Sequence, residues 1–284
     1  MSVDPNIEQE KGKNHNKSPK DDQQDEPPQK SPGEQDVEKG AAVPSAEPTK
    51  GSQEQNQTQL MFSEASIRAA FVRKVFSVVT WMFACVAAFS SLPIFIPEVR
   101  RFCQVYWGFY ILSLVVFIVF YIILICCSSC RRAFPTNVIM LSIFTISASV
   151  MTMFITAQYD VISVFVALLI TTICSASIVV FAMFTDKDLT TCFGVAFILG
   201  ICLLLFGIFA FIFVIIFHWY FLYLVYAILG ALLSMFYLAI DIQWIMGGRS
   251  HEISPEEWVF ASMTLFVDFL NIFLFILSIV GYRG

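Results

Sequence analysis

The sequence predicts an all-α membrane protein, a bundle of seven transmembrane helices behind a polar tail. Three observations carry that expectation. Of 284 residues, 57% are hydrophobic, 30 Phe among them, and the mean hydropathy is +0.74, whereas soluble globular chains are roughly 45–50% apolar. Most apolar residues fall into seven runs of about 20, the length that crosses a bilayer. Each run is expected to be helical, because hydrocarbon leaves no other way to satisfy the backbone.

Residues 1–65 form the tail. They are rich in Gln, Glu, Lys, Asp, Ser and Pro, and cannot bury enough surface to offset the entropy of ordering. The expectation is a disordered cytoplasmic segment, either a docking arm or plain solvated chain. Twelve acidic residues against seven lysines up to Leu60 account for the whole formal charge of −5, and the remainder balances at ten against ten. The acidity therefore says nothing about a substrate. No basic stripe outside the membrane flanks suggests nucleic acid. Ser66–Lys74, SIRAAFVRK, reads as a short basic, amphipathic lead-in to the membrane domain, 66–284.

The spans are expected at 75–96, 107–126, 135–157, 161–184, 191–216, 221–246 and 257–280. Only Gln158, Tyr159 and Asp160 separate the third from the fourth. Arg68, Arg73, Lys74, Arg131, Arg132, Lys187 and Arg249 fall on one side of the membrane, and Arg100, Arg101 and Arg283 on the other. Positive charge concentrates on the cytoplasmic side, so the N-terminus is expected there. The last two spans should form a tight hairpin. Gly247-Gly248 ends the sixth as a C-cap, and Ser254-Pro255-Glu256-Glu257 starts the seventh with an N-cap serine, a first-turn proline and a capping-box glutamate.

Each arm of that hairpin carries one aspartate, Asp241 and Asp268. A carboxylate in lipid costs on the order of 2.5–3.5 kcal/mol by insertion scales, so such residues usually face a partner, a cavity or an ion path. If the two lie together, a shared proton or a bridging cation relieves their repulsion, and carboxylate oxygens suit Ca²⁺. Asn271 shares the face of Asp268, and Gln243 lies near Asp241 in sequence but faces away from it; both are candidate supporting residues. The bland alternative is that each aspartate merely hydrogen-bonds a neighbouring helix.

Other chemistry finds little support. Cys126, Cys127 and Cys130 stand at the membrane edge, where cysteines are often palmitoylated; an unmodified cluster is the alternative, and zinc lacks a second ligand pair. Arg131 and Arg132 read as topology determinants. His15, His218 and His251 are scattered. An intramembrane aspartyl protease also uses two aspartates, but its Tyr-Asp and Gly-x-Gly-Asp flanks are absent, so the chain is not expected to be an enzyme.

Four stretches resemble the transmembrane BAX inhibitor motif family, in its lifeguard branch. They are IRAAFVRKVFSVVT, CCSSCRRAFPTN, FTISASVMTMFIT and ILGALLSMFYLAIDIQWIMGGRSHEISPEEWVFASMTLFVDFLNIFLFIL, spanning about residues 66–284. Two departures stand out: the tail is acidic and contains Pro and Gln, unlike the proline-, glycine- and tyrosine-rich tails of some relatives, and the family's Asp-Thr-Gln appears as Asp241-Ile242-Gln243. The resemblance implies a BAX inhibitor-like bundle with the last helix central, a pH-sensitive Ca²⁺ leak gated at Asp241 and Asp268, and suppression of apoptosis. It implies no cofactor; Ca²⁺ is the transported or bound ion. The expected location is the endoplasmic reticulum or Golgi membrane, with the plasma membrane as the alternative. The expected partners are the lipid bilayer, Ca²⁺, protons and apoptosis regulators. A competing class is a non-conducting regulator that binds death-receptor or Bcl-2-type proteins; a proton-coupled antiporter is a third.

Overall fold

The computed structural model describes residues 50–281. The expectation of disorder up to residue 49, and His15, lie outside them. Helix α1, Lys50–Phe95, runs straight through the boundary expected at 65/66. Gln, Glu, Leu and Met in its first turns are strong helix formers. A helix already nucleated by a membrane span extends at little further cost.

After α1 come α2 (Pro97–Val105), α3 (Trp107–Cys126), α4 (Ser128–Arg132), α5 (Thr136–Thr156), α6 (Val161–Phe184), α7 (Phe193–Phe217), α8 (Tyr220–Met246) and α9 (Trp258–Val280). Seven stretches among the described residues are long and apolar enough to cross a membrane: Gln59–Phe95, Trp107–Cys126, Thr136–Thr156, Val161–Phe184, Thr190–Phe217, Tyr220–Met246 and Pro255–Val280. From the second span on, the expected ends agree with these to within two residues.

Two short helices were not anticipated. Helix α2 starts on Pro97 with Glu98 in its first turn, a favourable helix N-terminus. From it Arg100 donates to the Tyr159 carbonyl at 3.0 Å, and Gln104 to that of Ala157 at 3.2 Å. These bonds brace the tight turn between α5 and α6. Helix α4 holds the arginine pair of the CCSSCRR stretch.

The last helix is central. Helices α1, α6 and α8 pack along it and α5 touches it, whereas α3 rests mainly on α5 and α7 on α8. One core cluster joins Val75 and Val79 of α1, Leu238 and Ile242 of α8, and Leu265 and Ile272 of α9. A second is built on aromatic rings: Phe117 of α3 stacks on Phe144 of α5 at 4.9 Å, and Phe144 meets Phe266 of α9 edge-on at 6.0 Å. Polar residues in the spans largely bond within their own helix. Thr145, Ser149, Thr152 and Thr156 of α5 each donate to the carbonyl four residues earlier, which disposes of a hydroxyl that lipid would not satisfy.

Helix α8 ends on Gly247, with φ 73° and ψ −174°, a region open essentially to glycine alone. A Cβ there would also stand 2.7 Å from Glu252 Oε2 and 2.8 Å from Arg68 Nε. Gly247→Ala is therefore expected to cost about 1–3 kcal/mol. Gly108→Ala in α3, where nothing lies within 4 Å of the added carbon, should be neutral or slightly stabilising. Thermal unfolding of the two variants in detergent checks the contrast.

Candidate functional site

Helices α8 and α9 are antiparallel neighbours, and the hairpin between them sets their register. Asp241 lies six positions before Gly247, which puts it about 9 Å inside that end of α8 at about 1.5 Å per residue. Asp268 stands further along α9, yet the two carboxyl groups come within hydrogen-bonding reach of each other. Both are buried, with 6% and 9% of their surface exposed. The Thr264 hydroxyl of α9 also reaches the Asp241 carboxyl. Asp268 Oδ2 has no hydrogen-bond partner, and among the described residues no arginine or lysine forms a salt bridge with either acid. Two carboxylates are both acceptors, so a hydrogen bond between them requires one proton.

The two supporting candidates are placed differently. Asn271 is half-buried one turn along α9, and no hydrogen bond links it to Asp268 among the described residues. Gln243 is buried and does face away from Asp241. Its Oε1 accepts from the Leu189 amide at 2.8 Å, and its Nε2 donates to the carbonyls of Lys187 at 2.9 Å and Ala182 at 3.3 Å. It ties α8 to the turn between α6 and α7.

The hairpin loop is braced from three other elements. Helix α1 supplies Arg68, which donates to the Ile253 carbonyl at 2.7 Å and pairs with Glu252 at 2.9 Å. The turn after α6 supplies Asp188, which accepts from the Ser250 amide at 3.1 Å and from its hydroxyl at 2.5 Å, while Arg249 returns hydrogen bonds to the carbonyls of Thr185 and Asp186. Helix α4 supplies the arginine pair. Arg131 meets Glu257 at 2.8 Å while binding the last carbonyls of α3, Leu124 and Ile125, at 2.8 and 2.6 Å. Arg132 meets the other oxygen of Glu257 at 2.7 Å. Lys74 of α1 sits 4.0 Å over the ring of Trp258, at the start of α9.

One expectation is corrected here and another is extended. Ser254-Pro255-Glu256-Glu257 does open with proline, but no side chain caps it. Glu257 is engaged by both guanidinium groups, and charge-assisted bonds outcompete a neutral backbone amide. Arg131 and Arg132, read as topology determinants, are in addition counter-ions, and the acid they share is Glu257. The spacing of CRR and PEE gave no sign of this, because more than a hundred residues separate them. Their opposite charges at one membrane face were the only available hint.

Among the described residues no group of three or more His, Cys, Asp or Glu is placed to hold a metal. The donors at the pair are two carboxylates and one hydroxyl, short of the six to eight oxygens that Ca²⁺ prefers. Cys126 is exposed at the end of α3, and Cys127 and Cys130 are half-buried. A hydrogen bond from the Cys130 thiol holds the Cys127 thiol below its ordinary value.

A family model described as Inhibitor of apoptosis-promoting Bax1 matches residues 68–284. The chain belongs to that Bax1-I family. Protein lifeguard 3 of Homo sapiens is 35% identical over 223 residues, covering 78% of this chain and 72% of the relative. Its Mus musculus counterpart is 34% identical over 222 residues, with the same coverage. Protein lifeguard 4 of Mus musculus is 29% identical over 216 residues, 75% of this chain and 84% of the relative. The Bax1-I family is one of membrane proteins implicated in apoptosis regulation, and it is not a known enzyme family.

Two outcomes are expected of the braces. Glu257 is almost buried, with a side chain 12% exposed, and Glu257→Ala leaves the nearly buried Arg131 without its acid at a cost of about 3 kcal/mol, whereas the half-exposed Arg132 turns to water and Glu256. Glu252 is half-exposed, and Glu252→Ala should cost about 1 kcal/mol or less. Thermal melts in detergent at low and high salt compare them. The bonds from Ser250 and Thr190 hold the Asp188 carboxyl well below the usual carboxylate range. Its contribution is therefore complete above the ordinary carboxylate pKa and is lost as pH falls through the depressed one. Exchange of the Ser250 amide hydrogen should accelerate relative to its intrinsic rate on acidification through that window, and Asp188→Asn should remove the pH dependence.

Proposed function

We propose that this Bax1-I protein is a pH-sensitive Ca²⁺ leak pathway of an intracellular membrane, gated at Asp241 and Asp268, and that it restrains apoptosis through that leak. The observation that carries the reading is the facing of two buried carboxyl groups, one with an oxygen unpartnered and neither paired with a base. A structural aspartate in lipid is expected to have its oxygens satisfied by a neighbouring helix. Here each acid has the other as its chief partner. With one proton the pair is a neutral-plus-charged hydrogen-bonded unit. Without it, two like charges adjoin, and either the helices separate or a cation enters. Ca²⁺ is the substrate of this step, and its oxygen preference matches the donors. The change is a shift between two helix packings of different proton affinity.

The proposal places the protein in the endoplasmic reticulum or Golgi, with its N-terminus cytoplasmic. What supports the orientation is the gathering of Arg68, Arg131, Arg132 and Arg249 at the loop end of the hairpin, since basic residues favour the cytoplasmic side.

Ca²⁺ efflux from proteoliposomes is the test, with wild type, Asp241→Asn and Asp268→Asn compared between about pH 6 and 8, across which a coupled pair can change its proton count. The expected result is a pH-dependent wild-type flux that either substitution flattens. Flux no greater than from empty liposomes, by protein shown to be folded, overturns the conduit and leaves a non-conducting regulator whose acids serve packing.

A further inference from the structure

Three of the eight cysteines cluster in sequence, Cys126, Cys127 and Cys130. Cys126 closes α3 and Cys130 belongs to α4, and Cys127 alone joins the two helices. Cys127 and Cys130 are half-buried, not enclosed. Arg131 and Arg132 follow directly, with Glu256 and Glu257 against them. Charges avoid hydrocarbon, so the pair stands at the water face of the membrane.

In a regular helix, residues three apart hold their Cβ atoms about 5–6 Å apart, whereas a disulfide needs about 3.5–4.5 Å. Cys127 is not helical. Its φ of −100° and ψ of 91° are extended, and its side chain folds over the first turn of α4. There the two thiols are hydrogen-bonded to each other, with Cys130 donating. The joint is held from both sides. The Cys127 amide donates to the Ile123 carbonyl at 2.8 Å. Arg131, next to Cys130, reaches back to the carbonyls of Leu124 and Ile125 at 2.8 and 2.6 Å. The two sulfurs are thus already presented to each other.

The thiols are not equivalent. The bond from Cys130, with the Arg131 guanidinium as a weaker influence, favours the thiolate of Cys127, and the same bond keeps the proton on Cys130. Attack on a disulfide needs an accessible thiolate. Cys127 fits the attacking role and Cys130 the resolving one.

We propose that Cys127 and Cys130 form a reversible dithiol–disulfide couple that exchanges with a low-molecular-weight disulfide of the glutathione type. The Cys127 thiolate attacks one sulfur of oxidised glutathione. That S–S bond breaks, a disulfide forms between Cys127 and one glutathione, and the other glutathione leaves as a thiolate. The Cys130 sulfur then displaces the bound glutathione, and its proton goes to the departing thiolate. Two protein thiols are oxidised, and one glutathione disulfide is reduced to two thiols. On the cytoplasmic face such a bond is transient. While present, it staples the joint from which Arg131 reaches Glu257.

The test is thiol counting on the full chain in phosphatidylcholine nanodiscs. The protein is equilibrated with oxidised or reduced glutathione, quenched in acid, unfolded, labelled with N-ethylmaleimide and weighed intact. Oxidised wild type should carry two labels fewer than reduced wild type, and excess reduced glutathione should restore both. Cys126→Ser should lose the same two labels. In that background Cys130→Ser should stop at one bound glutathione. Cys127→Ser should form no disulfide and take up glutathione at least several-fold more slowly than Cys130→Ser. Full labelling of folded wild type in oxidised glutathione, a disulfide between chains, or loss of the disulfide in Cys126→Ser each overturns the proposal. So does glutathione uptake by Cys127→Ser as fast as by Cys130→Ser, or a fatty acyl group on Cys127 in the chain isolated from cells. If a variant at 127 or 130 does not fold, the label count and its reversal on wild type and Cys126→Ser decide.

Discussion

A carboxylate inside hydrocarbon has no solvent to fall back on, so its partner must come from the protein. In this chain the partner of one such acid is another. That arrangement requires Asp241 and Asp268 to meet from two helices at different distances from their shared loop. The requirement falls on the register of α8 against α9, and the braces on the hairpin loop set that register. Arg68, Asp188, Arg131 and Arg132 come from α1, the turn after α6 and α4, and all act on the stretch from Ser250 to Glu257. The polar network at the membrane face and the acid pair inside are therefore mechanically one unit.

Much of the fold was legible from hydrophobicity alone. Lipid permits few backbone solutions, so an apolar run of twenty residues already names its own secondary structure and length. The ends of α3 and α6 coincide with the expected ones for that reason. Helix α2 escaped notice because it has only nine residues and falls between two apolar spans, where the periodicity signal is short. The early start of α1 escaped because a Gln- and Glu-rich stretch reads as solvated chain until a membrane helix is continued into it.

The site was half legible. Two aspartates in apolar runs are conspicuous as a cost, and the tight hairpin between them made their meeting plausible. Glu257 was misread because SPEE satisfies a local capping rule, while its actual partners are Arg131 and Arg132, remote in sequence. Gln243 shows the same limit. Its neighbours in sequence are apolar, whereas its bonds are to carbonyls at 182 and 187. Local patterns state what a residue could do for its own helix, and long-range charge complementarity overrides them wherever a guanidinium is within reach.

The three braces also impose an order in time. Synthesis runs from the N-terminus, and earlier segments begin to fold before later ones appear. Arg68, Arg131, Arg132 and Asp188 are all made before Glu252, Ser250 and Glu257 emerge, and Asp241 is made before Asp268. Until the final span is threaded, the nascent chain displays sockets without plugs: two arginines with no acid and one aspartate alone in the bilayer. Arrival of the last helix quenches all of them together.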